Sequence, residues 1–268
     1  MKTVFAFLLG LSFLAPLASY AAEVDSVYME ELTWMEIRDR MQAGANIAII
    51  PTGGHEQNGP HMVEGKHNII VRYTAGEIAR KLNNALVAPV INYVPEGRIN
   101  PPEGHMNFAG TISIRDETFA MLLEDAAASL KQHGFKLICF VGDSSGNQEI
   151  QRQVAAKLSS KWNSSGVRVL HVSNYYYENG QEQWVGSIGL KVQNPTAHAG
   201  FMDTSELMAL GPQGVRPKLL GDRGIKDYDK TGSLGDSTLA SAAHGKKLLS
   251  LKIQAAYEQI RYASSHPE

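Results

Sequence analysis

Apolar residues along the chain fall into short unbroken runs that alternate with stretches of helical period, and this alternation predicts most of the elements. Thr33-Trp-Met-Glu36 has the spacing of a capping box and opens a short helix ending near Gly44. Asn46 to Ile50 reads as a buried strand, closed by Pro51 and the glycines at 53 and 54. A helix over Ile69–Leu82 and a second strand over Ala85–Val90 follow. Thr118 to His133 is amphipathic and is stopped by Gly134. Lys136–Val141 is the third strand, Gln148–Trp162 a helix, Val167–Ser173 the fourth strand, and Ala240–Tyr262 the final helix. Strands alternating with helices through short connections predict βαβ units, and hence an α/β layered sandwich around a largely parallel sheet. Ligands of such sheets bind beyond the carboxyl ends of the strands. That rule singles out two Gly-rich segments, PTGGHEQNGPH after the first strand and GDSSGN after the third.

The N-terminus follows a different logic. Met1-Lys2, an apolar run from Val4 to Leu14, Pro16 and the small residues Ser19 and Ala21 form the pattern of a secretory signal peptide cut after Ala21. The run is shorter than the ~20 residues needed to cross a bilayer, so no stable membrane span is expected. The expected organisation is a signal peptide over 1–21, an extension over 22–29, one domain over 30–262 and a tail over 263–268, with a periplasmic or secreted destination. Nothing between 30 and 262 resembles a linker or a repeat. A formal net charge of −2 without a basic cluster argues against nucleic acid and anionic membranes as partners. Cys139 is the single cysteine and lies in the apolar run of the third strand, which makes it an inert core thiol. The bulk properties point to small-molecule chemistry or to none.

Three segments carry a resemblance: PTGGHEQNGPHMVEGKH over 51–67, GDSSGN over 142–147 and HAGFMDTS over 198–205. They resemble the creatininase (creatinine amidohydrolase) family, whose motifs read approximately PxGxxEQHGPHLPxxTD, NGHGGN or NGHYEN, and HAGxxETS. Gly104-His105, Gly110-Thr-Ile-Ser-Ile114 and the glycines between 232 and 245 add support. The resemblance implies a creatininase-like sandwich assembled as a homohexamer. It also implies a pair of divalent metal ions that hydrolyse a cyclic amide or similar C–N bond.

Residue by residue, the chain departs from that pattern. Glu56 and His198 keep the family's residues, and Asp203 stands where the family has Glu. The second-position His has become Asn58, the metal-bridging Asp has become His67, the His of NGHGGN has become Ser144, and a further carboxylate position is Gly146. An imidazole cannot bridge two ions as a carboxylate does, and amide or hydroxyl oxygens are weak zinc ligands. The dinuclear centre is therefore expected to be absent, leaving one divalent ion (zinc or manganese) or none. Glu56, His67 and Asp143 are the candidate ligands of a single ion, and His198, Asp203 and Glu56 the candidate catalytic groups. His55, Asn58, His61, His105, Ser144, Asn147 and Trp184 are the candidate pocket residues. Tyr175-Tyr176-Tyr177 either stacks on a planar substrate or packs a loop, and creatinine itself is not the expected substrate. Two functional classes stay open: an exported hydrolase of a small amide or cyclic C–N compound, and a non-catalytic small-molecule-binding or assembly protein that kept the fold.

Overall fold

Strands β1 (Ile47–Thr52) and β3 (Leu137–Gly142) pair in parallel along their whole length, Ile47 against Leu137 and Thr52 against Gly142. In this computed structural model, which describes residues 24–221 and 224–266, the sheet continues to β2 (Ala85–Val87) and β4 (Arg168–His171). The order is β2-β1-β3-β4 and every pairing is parallel, as the alternation of the sequence implies. The expected signal peptide lies outside the described residues. Among the described residues no helix is long and apolar enough to cross a membrane.

Both central strands are buried on both faces, which explains why they read as continuous apolar runs. On one face Ile47, Ile49, Leu137, Cys139 and Val141 pack against α2 (Lys66–Leu82) and α8 (Ala242–Ser265). On the other, Ala48, Ile50, Ile138 and Phe140 meet α3 (Asp116–His133) and α4 (Gln148–Trp162). Cys139 is fully buried, and burial pushes its thiol far above the ordinary range, in line with an inert core residue.

The remaining helices are α1 (Trp34–Gln42), α5 (Gln181–Ser187), α6 (Phe201–Leu210) and the single turn α7 (Tyr228–Thr231). Thr33 and Glu36 cap α1 reciprocally, as their spacing requires. Part of the N-terminal extension is docked: Tyr28 is buried and its hydroxyl donates to the Arg72 carbonyl at 3.0 Å. At the other end α8 runs to Ser265, past the expected Tyr262.

Two differences bear on the site. Helix α2 begins at Lys66 rather than Ile69, so Lys66 and His67 occupy its first turn. The sequence HAGFMDTS, which carries no apolar periodicity, ends in the helix α6 that stacks on α8. The two helices approach so closely at Gly245 that an added Cβ would lie 1.8 Å from the Ser205 carbonyl oxygen.

Candidate active site

The carboxyl ends of β1 and β3 lie side by side, and the amide of Asp143 donates to the Thr52 carbonyl at 3.1 Å. This contact brings the loop 53–65 and the loop 143–147 to one edge of the sheet. Gly53 allows α2 to close over that edge, since a Cβ there would sit 2.9 Å from the Asn68 Cα. The turn at 198–200, where Ala199 takes φ +57°, closes the third side, and the Ala199 amide donates to Asp203 at 2.9 Å. An alanine in the left-handed region is strained, and such residues cluster at functional sites.

A cavity of about 290 Å³ opens between these loops and α8. Along its floor His67 joins two buried carboxylates, with Nε2 2.9 Å from Glu56 Oε1 and Nδ1 2.8 Å from Asp143 Oδ2. Asp143 also accepts from the Tyr175 hydroxyl at 2.6 Å and from Lys252 at 3.0 Å. Lys252 continues to Glu206 at 2.9 Å, and Glu206 accepts from the Gln181 amide. Lys66, fully buried, pairs with Asp203 at 2.9 Å. Three cationic side chains thus face four carboxylates at direct hydrogen-bond distance.

Charge and burial compete at each of these groups. Burial favours neutral Glu56, but the charge and hydrogen bond of His67, with Lys66 and His198 nearby, hold its carboxyl well below the usual range. Burial and the Lys66 charge both oppose protonation of His67, yet Glu56 and Asp143 outweigh them and raise it above an ordinary imidazole. Burial likewise works against ionised Asp143, and Lys252 and His67 overcome it and hold the carboxyl low. Glu96 has no such partner. Burial first, and then the adjacent Glu56 charge, push it up to about 10, so it stays protonated and hydrogen-bonded to Glu56.

The side chains that fit a metal ion are a different set from the expected one. Glu56, His105 and His198 each offer a ligand atom, and these atoms lie within 4.8 Å of one another. His105 Nε2 is 3.2 Å from Glu56 Oε2, and His198 Nδ1 is 3.6 Å from Glu56 Oε1. Burial lowers both imidazoles, His198 to about 4, so both are neutral near pH 7, as metal ligands must be. His198 Nε2 donates to the Gln57 carbonyl at 3.0 Å and leaves Nδ1 free to ligate, while the Gln57 side-chain NH2 donates to His105 Nδ1 at 2.9 Å, so the proton of that ring sits on Nε2 toward Glu56 and has to leave before Nε2 can hold an ion. A Glu and two His with an open side suit one zinc or manganese ion.

The expected trio of Glu56, His67 and Asp143 is brought together, but as a row. The carboxylates take opposite edges of one imidazole, and no single ion reaches all three. Three positions that the resemblance assigns to further ligands carry other groups here. The Asn58 amide turns to the Glu56 carbonyl at 2.8 Å, Ser144 faces Glu96 at 3.5 Å, and Gly146 has no side chain.

The other expected residues divide. His105 and Ser144 line the cavity. His55, Asn58, His61, Asn147 and Trp184 do not, and they correct the expected pocket. His55 sits outside on Glu64 at 3.2 Å, and His61 ties the loop to α6 through Thr204 at 2.9 Å. Asn147 is buried and braces the Gly53 carbonyl at 3.2 Å, while Trp184 packs on His244. His198 and Asp203 both line the cavity, but Asp203 serves Lys66 and the Ala199 amide, and the His198 ring is held by Gln57. Tyr176 and Tyr177 line the cavity, whereas Tyr175 is buried with its hydroxyl on Asp143.

Sequence reasoning missed Lys66, Glu96, Glu206 and Lys252. One signal was available: Lys252 interrupts the buried stripe Leu248, Leu249, Ile253, Ala256 and Ile260 of α8, a position where a lysine needs a partner.

The profile of the creatininase family, described as creatinine amidohydrolase, matches residues 30–260. The mycofactocin precursor peptide peptidase of Mycolicibacterium smegmatis is 25% identical over 236 residues, covering 80% of this chain and 84% of the relative. The 3-dehydro-scyllo-inosose hydrolase of Thermotoga maritima is 26% identical over 226 residues, 81% of this chain and 69% of that one. A solved creatinine amidohydrolase (creatininase) superposes with a TM-score of 0.72 at 23% identity, covering 91% of this chain and 99% of its own, and supports the fold. Solved creatininases include a manganese form and a zinc–zinc form. The order of the motifs, the parallel sheet that carries them and the profile matched across nearly the whole described chain agree, and the protein belongs to the creatininase family.

Proposed function

We propose that this chain is an exported hydrolase of a small amide or cyclic C–N compound, working with one divalent metal ion at Glu56, His105 and His198. The observation that carries the reading is the convergence of one carboxylate and two neutral imidazoles on a polar cavity in a chain of the creatininase family. When bound, a zinc or manganese ion there supplies Lewis acidity toward a carbonyl oxygen and toward water. The chain's own residues do the rest. Gln57 orients both imidazoles, Tyr176 and Tyr177 line the cavity for the substrate body, and Glu96 keeps a proton beside Glu56. The signal-peptide pattern over 1–21 supports export, and a homo-oligomer, with the hexamer that the motif resemblance implies, is part of the proposal.

A second reading draws on the internal charge balance. Lys66, His67 and Lys252 already pair four carboxylates of the cavity, Glu56, Asp143, Asp203 and Glu206, so every one of these has a partner without an ion, which suits a non-catalytic binding protein. Elemental analysis separates the two. The hydrolase reading expects one equivalent of zinc or manganese in protein purified without chelators, and metal-dependent release of amine from a panel of cyclic and linear amides. It also expects both to vanish in Glu56→Gln. Metal-free protein that binds small molecules without turnover would favour the second reading.

A further inference from the structure

Lys66 stands in the first turn of α2 with 1% of its surface exposed, yet its side chain lines the cavity. Among the described residues its ammonium makes one hydrogen bond, to Asp203 Oδ2 at 2.9 Å. An ammonium carries three donors. Lys252, buried in the wall of the same cavity, shows what a satisfied lysine looks like here: two carboxylates accept from it, and the Tyr175 ring lies 4.9 Å away. Lys66 keeps two donors that no described side chain or carbonyl accepts. A buried cation is costly unless its donors find acceptors, so the two that the protein does not take up suit a polar ligand in the cavity.

The position of the group matters as much as its donors. Asp203 holds the ammonium from α6 while also fixing the strained turn at Ala199, so the charge is anchored on two rigid elements. Glu56, His105 and His198 line the same cavity. Lys66 supplies a fixed positive charge in that cavity.

We infer that Lys66 is a catalytic residue whose ammonium donates to the carbonyl oxygen of the bound amide and holds the negative charge that develops there. This rests on the hydrolase reading above. The step consumes water alone. The water oxygen bonds to the carbonyl carbon, and the C=O π pair passes to the oxygen facing Lys66. When that pair returns, the C–N bond breaks, and the nitrogen leaves with the bonding pair and takes up the proton released by water. Lys66 keeps its own protons throughout. A cation fixed on two rigid elements and aimed at developing charge needs no reorganisation during the reaction, which is why such groups count heavily in catalysis.

The test uses the full chain as purified, with its metal content recorded and its lysines labelled with ¹⁵N. The probes are methylphosphonate, a tetrahedral oxyanion, and acetamide, its planar neutral counterpart. Methylphosphonate should shift the Lys66 ammonium resonance, assigned through its side-chain correlations, more than acetamide does. Its affinity should fall about 10-fold or more in Lys66→Met/Asp203→Asn, which removes both charges and leaves no unpaired carboxylate buried. For any amide the wild type hydrolyses, kcat should fall about 100-fold or more in that variant while KM changes little. An unshifted Lys66 resonance, equal affinity in the two proteins, or a rise in KM at constant kcat overturns the proposal, and the wild-type spectrum decides alone if the variant does not fold. Failure of the hydrolase reading looks different: no metal and no turnover in the wild type, with Lys66-dependent methylphosphonate binding intact.

Discussion

His67 Nδ1 lies 2.8 Å from Asp143 Oδ2, joining two buried side chains 76 residues apart. With Glu56 on its other nitrogen, the imidazole carries positive charge between two carboxylates at the point where α2 closes onto the sheet. The contact is part of the site and part of the fold, and its removal should be felt in stability.

His67→Gln should destabilise the protein by about 3 kcal/mol or more at pH 5.5, because two carboxylates lose a buried cation. The effect depends on pH in a fixed direction. The folded-state pKa of His67 is raised, so its contribution is complete below the ordinary imidazole value of about 6.5 and is lost as pH rises through the raised value. Asp143 and Glu56 are held low, so their contribution is present above about pH 4 and is lost as pH falls through their folded values. Urea melts of wild type and variant should therefore show a wider gap at pH 5.5 than at pH 8.5. An equal gap at both would mean that His67 is neutral in the folded protein.

Lys252→Met should cost about 3–5 kcal/mol, since Asp143 and Glu206 both lose their ammonium partner. Adding Glu206→Gln should recover part of that loss, because one of the stranded charges is then gone. Guanidinium melts of the three proteins decide it. A double variant less stable than the single one by the full cost of a second independent substitution would show that the two residues do not act as a pair.

Gly245→Ala should lower stability by about 1–3 kcal/mol or more, since its Cβ meets the Ser205 carbonyl and forces α6 away from α8. Helix α6 carries Asp203 and Glu206, so the same change should weaken ligand binding in the cavity. Thermal melts and binding of methylphosphonate check both parts. An unchanged melting temperature would contradict the close packing.

The order of strands and helices was legible because the strands are buried on both faces and the helices have one apolar stripe. Glu56, His105 and His198 were each singled out, but their convergence was not, because it depends on loops that only the register of β1 and β3 brings together. The start of α2 was hidden for a related reason. Lys66 and His67 are buried by polar partners rather than by apolar contacts, so they break the hydrophobic period while belonging to the helix. Glu96 and Glu206 left no pattern at all: their significance comes from the carboxylates and lysine they meet across the fold. Closeness in sequence to Glu56 does not put Asn58 or His61 in the cavity: Asn58 turns to the carbonyl of its own loop, and His61 reaches Thr204 of α6.

His198→Ala and His105→Ala should each weaken zinc binding by at least about 10-fold, with melting temperatures of the metal-free proteins little changed. Gln57→Ala, which removes the amide behind His105, should weaken it by about 10–100-fold without removing a ligand. Competition against a zinc-sensitive chelating dye measures all three. Full affinity in Gln57→Ala would show that the rings hold their places without it.

The most direct test of the account is the zinc stoichiometry of the full chain, measured by equilibrium dialysis followed by elemental analysis. One equivalent is predicted for the wild type and less than a tenth of an equivalent for Glu56→Gln and for His198→Ala. Two equivalents, none, or one that survives both substitutions would contradict a single ion at Glu56, His105 and His198.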